Sequence, residues 1–180
     1  MGTLASFRVE PFRWEDHAAA VRDLYCEVFS EPPYHGISQV GAEETLRRQA
    51  GYSGLDGRVA LADNGQLLGF AYGWDSNPGQ PWHDRMRSLF GPELSRRWLS
   101  DCFEFAELGV RLDARGQGIG AALHDALLLT QPHATAVVST NPLAAAAQYF
   151  YRARGWQIIL EPVFFSEGSP ALRFWGKDLR

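Results

Sequence analysis

Three alternate glycines in the run Arg115-Gly116-Gln117-Gly118-Ile119-Gly120 stand between a strand-like segment, Phe103 to Val110, and a helical pattern that begins at Gly118. Glycine has no Cβ, so the backbone amides from Gly118 to Ala121 can come close to a ligand. The unpaired N–H groups of the first helical turn and the positive end of the helix dipole then attract negative charge. A phosphate or pyrophosphate is the natural guest of such a junction, and the chain must fold so that a strand delivers this loop to a helix start.

Two other glycine-loop architectures fit poorly. Gly116, Gly118 and Ala121 satisfy G-x-G-x-x-G/A in form, but a dinucleotide loop follows the first strand of a doubly wound domain, with an acid about 20 positions on. This loop comes late, and the corresponding offset reads Val137-Val138-Ser139-Thr140-Asn141, without an acid. No Gly-Lys-Ser/Thr follows the loop, which excludes the Walker pattern.

The remaining chain reads as alternating strands and helices. Phe7 to Phe12 predicts a short first strand ending at Pro11, and Val21, Leu24, Tyr25, Val28 and Phe29 recur at helical spacing from Trp14 to Phe29. A polar helix is predicted from Ser38 to Gln49. Asp63-Asn64-Gly65-Gln66 joins strands at Arg58–Ala62 and Leu67–Trp74 as a hairpin. Residues 76–101, with a helix expected around Pro92 to Leu99, read as an insertion rather than a core element. Ile119, Leu123 and Leu127 form one stripe of the helix from Gly118 to Thr130, and Ala134 to Thr140 completes a strand–helix–strand unit with a parallel connection. Asn141 and Pro142 suit the start of a helix ending near Gly155, with Leu143, Ala147, Phe150 and Tyr151 on one face. Strands at Trp156–Phe165 and Leu172–Trp175 finish the chain. The whole predicts one α/β domain on a mixed sheet.

Composition narrows the partners. With 17 Lys and Arg against 21 Asp and Glu over 180 residues, the chain is mildly acidic and has no basic block, so no nucleic-acid partner is indicated. Cys26 and Cys102 offer neither a disulfide framework nor a metal cluster, and none of the five histidines has ligand spacing. His124 and Asp125 are adjacent on a helix and read as not facing each other. No stretch approaches ~18 apolar residues, so no membrane association is expected, and the default address is the cytoplasm. Gly2 with Ser6 matches the bare myristoylation pattern in form only.

Arg115, Gly118 and Gly120 match the Arg/Gln-x-x-Gly-x-Gly/Ala signature that follows the fourth strand of the GNAT acyltransferase superfamily, which this chain resembles. The hairpin, the strand ending at Asn141 and the pattern Ala147-x-x-x-Tyr151-x-x-x-Gly155-Trp156 extend the resemblance over most of the chain. It implies a GNAT-like fold over residues 1–180, with a mostly antiparallel sheet and a splayed parallel pair between the fourth and fifth strands. It also implies an acyl-CoA-dependent N-acyltransferase that moves acetyl from acetyl-CoA directly to a primary amine of a small molecule or peptide. A non-catalytic acyl-CoA sensor of the same fold is the alternative. Dimerisation through the last strands is open within that family.

The resemblance implies cofactor contacts from Leu108, Gly109 and Val110 on the fourth strand and from Arg115, Gly116, Gln117, Gly118, Ile119, Gly120 and Ala121 in the loop and helix start. Asn141 and Tyr151 are implied alongside them. Gly109 reads as a bulge, a close backbone approach or a tolerated core glycine. Arg115 meets a phosphate or braces the loop, and Asn141 contacts the pantetheine arm or caps its helix. Tyr151 matches the family tyrosine taken as general acid, against simple packing on the sheet. Glu107 is the first candidate base and Glu104 the second, each against an ion pair or an ordered water. Strict alternation puts Glu107 on the face of Phe103 and Phe105, where burial would raise its pKa, and Glu104 with Ala106 and Leu108. Tyr34, His35 and Trp82 in irregular segments, with Glu104, are candidates to face the acceptor, against packing.

Overall fold

The computed structural model describes residues 6–34, 36–164 and 168–180. Gly2 and His35, and the Ser166 and Glu167 of the last expected loop, lie outside these residues. The elements run β1 (Phe7–Pro11), α1 (Trp14–Val28), α2 (Gln39–Gln49), β2 (Asp56–Ala62), β3 (Leu67–Asp75), α3 (Pro81–Trp98) and β4 (Cys102–Val110). A 3-10 turn (Leu112–Ala114) leads to α4 (Ile119–Leu128), β5 (Thr135–Thr140), α5 (Ala145–Ala153), β6 (Gln157–Val163) and β7 (Leu172–Asp178).

The strands are ordered β1-β2-β3-β4-β5-β7-β6 in one mixed sheet. The expected parallel pair is present, with β4 on β5 through Cys102↔Thr135, Phe103↔Ala136 and Glu104↔Val137, while β1–β2, β2–β3, β5–β7 and β6–β7 are antiparallel. Contacts group the chain into two compact units, Met1–Trp74 with Ala106–Gln131 and Asp75–Phe105 with Pro132–Arg180.

In the first unit, the apolar stripe of α1 (Val21, Leu24, Val28) and Leu46 of α2 pack with Val59 and Phe70 of the β2–β3 hairpin. Gly65 turns that hairpin at φ 84°, with Gly65 N–H donating to Ala62 O at 2.9 Å. The Ser38 hydroxyl caps α2 by accepting from Gly41 N–H at 3.1 Å. Ile119, Leu123 and Leu127 of α4 are fully buried, as their stripe predicts. Beyond the end of α4, Thr130 Oγ1 accepts from the Arg58 guanidinium at 2.7 Å and Gln131 Nε2 donates to Asp56 Oδ2 at 2.9 Å. Those bonds pin the helix to β2 and so fix where its opposite, N-terminal end points.

The second unit departs from expectation in two places. Residues 76–101 are not peripheral: α3 runs from Pro81, and its Met86, Phe90 and Trp98 form a buried cluster with Cys102, Val137 and Phe174. Pro81 is acceptable in a first turn, and Gly91 at φ 70° before Pro92 interrupts the helix, which splits the periodicity and disguises both halves in the sequence. Helix α5 also starts later than Asn141–Pro142 suggests. Asn141 Oδ1 accepts from Leu143 N–H at 2.9 Å, closing a local turn first, and Leu143 lies off the helix at 78 % exposure.

Strand β7 extends past Trp175 to Asp178 because Gly176 pairs with Val137 and with Gln157. A Cβ at Gly176 would lie 2.6 Å from the buried Trp98 ring. Gly176→Ala is therefore expected to destabilise the chain by about 1–3 kcal/mol, lowering Tm by roughly 3–10 °C in a thermal melt.

Candidate active site

The glycine loop belongs to the first unit. Arg111 N–H donates to Leu68 O at 2.9 Å, carrying the β3–β4 pairing to the end of β4 before the 3-10 turn swings the chain toward α4. Gly116 and Gly118 have φ of 75° and 83°, which side chains rarely tolerate, and a Cβ at either would meet nothing within 4 Å. Gly118 is the N-cap of α4, and among the described residues no side chain caps that helix. Ala122 N–H to Gly118 O at 3.0 Å is the first intrahelical bond, so the N–H groups of Ile119, Gly120 and Ala121 have no acceptor within the helix. Open space over two positive-φ glycines and an uncapped helix end is a donor set that fits the phosphates of an acyl-CoA.

Arg115 braces this loop. Its Nε donates to Val110 O at 3.1 Å and its guanidinium pairs with Glu31 Oε2 at 2.9 Å. Gln117 Nε2 donates to Asp113 O at 3.4 Å. Leu108 and Val110 are half-buried on β4, and between them Gly109 is buried against an aromatic ring. A Cβ on Gly109 would lie 2.8 Å from Phe70, so this glycine permits a close approach.

Glu107 points into the aromatic side of the same unit. Tyr25 Oη donates to Glu107 Oε1 at 3.1 Å. Burial pushes the Glu107 carboxyl up to about 7, and the Tyr25 hydrogen bond opposes part of that rise. Burial, followed by the Glu107 charge, also raises the phenols of Tyr25, Tyr34 and Tyr72. Tyr34 therefore shares the electrostatic environment of Glu107, and its ring stands edge-on to Phe29 at 5.0 Å. Tyr25 escaped the sequence reading as a site residue because it sits on the core stripe of α1. The one signal was chemical, since a core tyrosine requires a partner for its hydroxyl.

The other candidates belong to the second unit. Tyr151 is 5 % exposed, with its ring edge-on to Phe105, Phe150 and Trp156 at 6.3, 5.3 and 5.4 Å. Asn141 is buried and spends its Oδ1 on the turn described above. Glu104 is 5 % exposed within the paired part of β4. Trp82 lies on α3, not in an irregular segment, and packs with its ring 6.3 Å from Phe174. His124 and Asp125 do meet, with Nδ1 and Oδ1 2.7 Å apart. Adjacent helical residues diverge by about 100°, yet the short carboxylate can fold back along the helix to its neighbour.

No protein-family model matches the chain. A GCN5-like protein acetyltransferase of Mycobacterium tuberculosis, Rv2170, is 31% identical over 129 residues, covering 67% of this chain and 63% of the relative's length. The match thus spans less than two thirds of that relative. Among solved structures, a GNAT-family acetyltransferase from Staphylococcus aureus Mu50 has a TM-score of 0.69 at 15% identity, covering 97% of this chain and 100% of that one. The protein yncA from Salmonella typhimurium, solved with its cofactor acetyl-CoA, has a TM-score of 0.66 at 16% identity over 98% of this chain and 95% of its own. The solved structures show that the chain has the GNAT fold, and the sequence likeness to the Mycobacterium tuberculosis relative supports the GNAT superfamily. Among the described residues, no helix is long and apolar enough to cross a membrane.

The raised carboxyl has a consequence for stability. Between about pH 4.5 and about 7 the folded chain keeps a proton on Glu107 that the unfolded chain has released, so stability from this residue falls as pH rises through that window. Glu107→Gln removes the dependence. The variant should gain about 2 kcal/mol relative to wild type between the two ends of the window in denaturant titrations, the full shift being trimmed for the side chain's partial exposure.

Proposed function

We propose that this chain is an acyl-CoA-dependent N-acetyltransferase acting on a primary amine of a small molecule or peptide. The observation that carries the reading is the positive-φ pair Gly116 and Gly118 opening onto the uncapped N-terminus of α4. The names of the Mycobacterium tuberculosis relative and of the solved neighbours support the acetyltransferase class, and the cofactor named for yncA supports acetyl-CoA.

In this reading the amides of Ile119, Gly120 and Ala121 hold the pyrophosphate, and the edge of Leu108–Val110 receives the pantetheine arm. Bound acetyl-CoA supplies a thioester carbonyl open to attack. Glu107 takes a proton from the acceptor ammonium, which frees the nitrogen lone pair to form the C–N bond as the C–S bond breaks. The departing sulfur takes a proton, a donation that the family resemblance assigns to Tyr151, and the acylated nitrogen gives one up, so one proton in all is released. A carboxyl near 7 is matched to that task at neutral pH. Tyr34 faces the acceptor beside Glu107. Trp82 and Glu104, each packed within the second unit, are left out of the chemistry.

Acetyl-CoA at ~100 times its dissociation constant should stabilise the chain by about 2.7 kcal/mol, raising Tm by roughly 5–10 °C, with NAD giving no shift. Absence of an acetyl-CoA shift in folded protein would remove the proposed cofactor. A shift without turnover over a broad amine panel would favour the sensor instead. Tyr151→Phe should lower kcat by about 10²–10⁴ and leave the acetyl-CoA shift intact; unchanged kcat would take Tyr151 out of the mechanism.

A further inference from the structure

We propose that Tyr25 is the positioning residue for the Glu107 carboxylate and that the aromatic site they form takes a primary ammonium group. The proposal rests on the acetyltransferase reading above and names the acceptor-recognising groups of that site. Tyr25 is on α1 and Glu107 on β4, yet Tyr25 Oη donates to Glu107 Oε1 at 3.1 Å. The Tyr25 ring is held between Phe29, with centroids 4.6 Å apart, and Phe70, 6.2 Å away and near-parallel at 21°. That packing leaves the hydroxyl little freedom, so the hydrogen bond orients the carboxylate.

The surroundings of Glu107 explain why a cation is the missing partner. The Glu107 charge acts on Tyr34 after α1 and on Tyr72 of β3, and the Tyr72 hydroxyl is already donated to Gln49 Oε1 at 2.9 Å. Cys26 and Arg48 act on Tyr25, and Arg115 acts on Tyr34, but among the described residues none forms an ion pair with Glu107. Oε2 accepts no hydrogen bond from these residues. A desolvated carboxylate with Oε1 held by Tyr25, whose ring packs on Phe29 and Phe70, and with no cation paired to it among the described residues, matches an ammonium. Charge pairs with charge, and the ring faces attract the same cation. Tyr25 does not touch the reacting atoms; it keeps Oε2 directed at the proton to be taken.

The test follows the Glu107 carboxyl by carbon NMR in protein labelled at glutamate, the resonance being identified by its loss in Glu107→Gln. In Tyr25→Phe the midpoint should rise by about 1 pH unit, because the lost donor stabilised the charged form. The acid limb of kcat/KM for a primary amine should rise with it, while the acetyl-CoA thermal shift is kept. Should the phenylalanine variant fold poorly, 3-fluorotyrosine placed at position 25, a stronger donor in nearly the same space, moves both midpoints downward. n-Butylammonium lowers the wild-type midpoint and n-butanol does not. An unmoved NMR midpoint overturns the role of Tyr25 even if the enzyme acetylates amines. A moved midpoint with an unmoved rate limb overturns positioning, and equal effects of butylammonium and butanol overturn the ammonium assignment. Loss of the acetyl-CoA shift and of all turnover in wild type would instead withdraw the acetyltransferase reading, and the catalytic role of Tyr25 with it.

Discussion

Two glycines where β3 and β4 run side by side set the spacing on which the first unit depends. A Cβ on Gly69 would lie 2.9 Å from Gly109 O and about as close to Leu123 and Ile119, and a Cβ on Gly109 would strike Phe70. Without those side chains, α4 settles directly on the sheet and Phe70 packs close against Gly109 of β4. Phe70 then stacks with Tyr25 and Tyr72, and Tyr25 reaches Glu107. Close packing at two positions is thus transmitted through rigid rings to the orientation of one carboxylate.

That carboxylate is costly to keep. Its burial, with no cationic partner among the described residues, favours the protonated form, and a single neutral donor recovers only part of the lost hydration. A purely structural residue at this place would be better apolar, since a half-satisfied buried charge stabilises less than a hydrocarbon of similar size. Retaining it makes sense when a ligand completes the pair and when a carboxyl poised near neutrality has a proton to accept.

The glycine loop solves a different problem with the same economy. An uncapped helix end forgoes the stabilisation of a capping side chain and keeps its N–H groups open to an anion. Arg115, instead of waiting in solvent for a phosphate, ties the loop to Val110 and to Glu31, so the loop is shaped before any ligand arrives. Preorganisation of this kind lowers the ordering cost of binding. In the second unit, rings from Phe105, Phe150 and Trp156 hold Tyr151 with comparable firmness.

The α4 stripe, the hairpin at Gly65 and the glycine loop were all legible in the chain, because each rests on contacts a few residues apart whose geometry residue type alone dictates. Local reasoning failed where a break or a competing hydrogen bond intervened: Gly91-Pro92 concealed α3 as part of a core, and the Asn141 turn delayed α5. Alternation along β4 grouped Glu107 with Phe103 and Phe105 and did not reveal Tyr25 as the partner of its carboxylate. The Tyr25 hydroxyl, 82 residues away in sequence, and the bracing of Arg115 by Glu31 arise only when separate elements pack together. Sequence determined the elements and the glycine-rich strand-to-helix junction through short-range sterics. Tertiary structure decided protonation and side-chain partnership, because desolvation and long-range hydrogen bonds exist only in the packed chain.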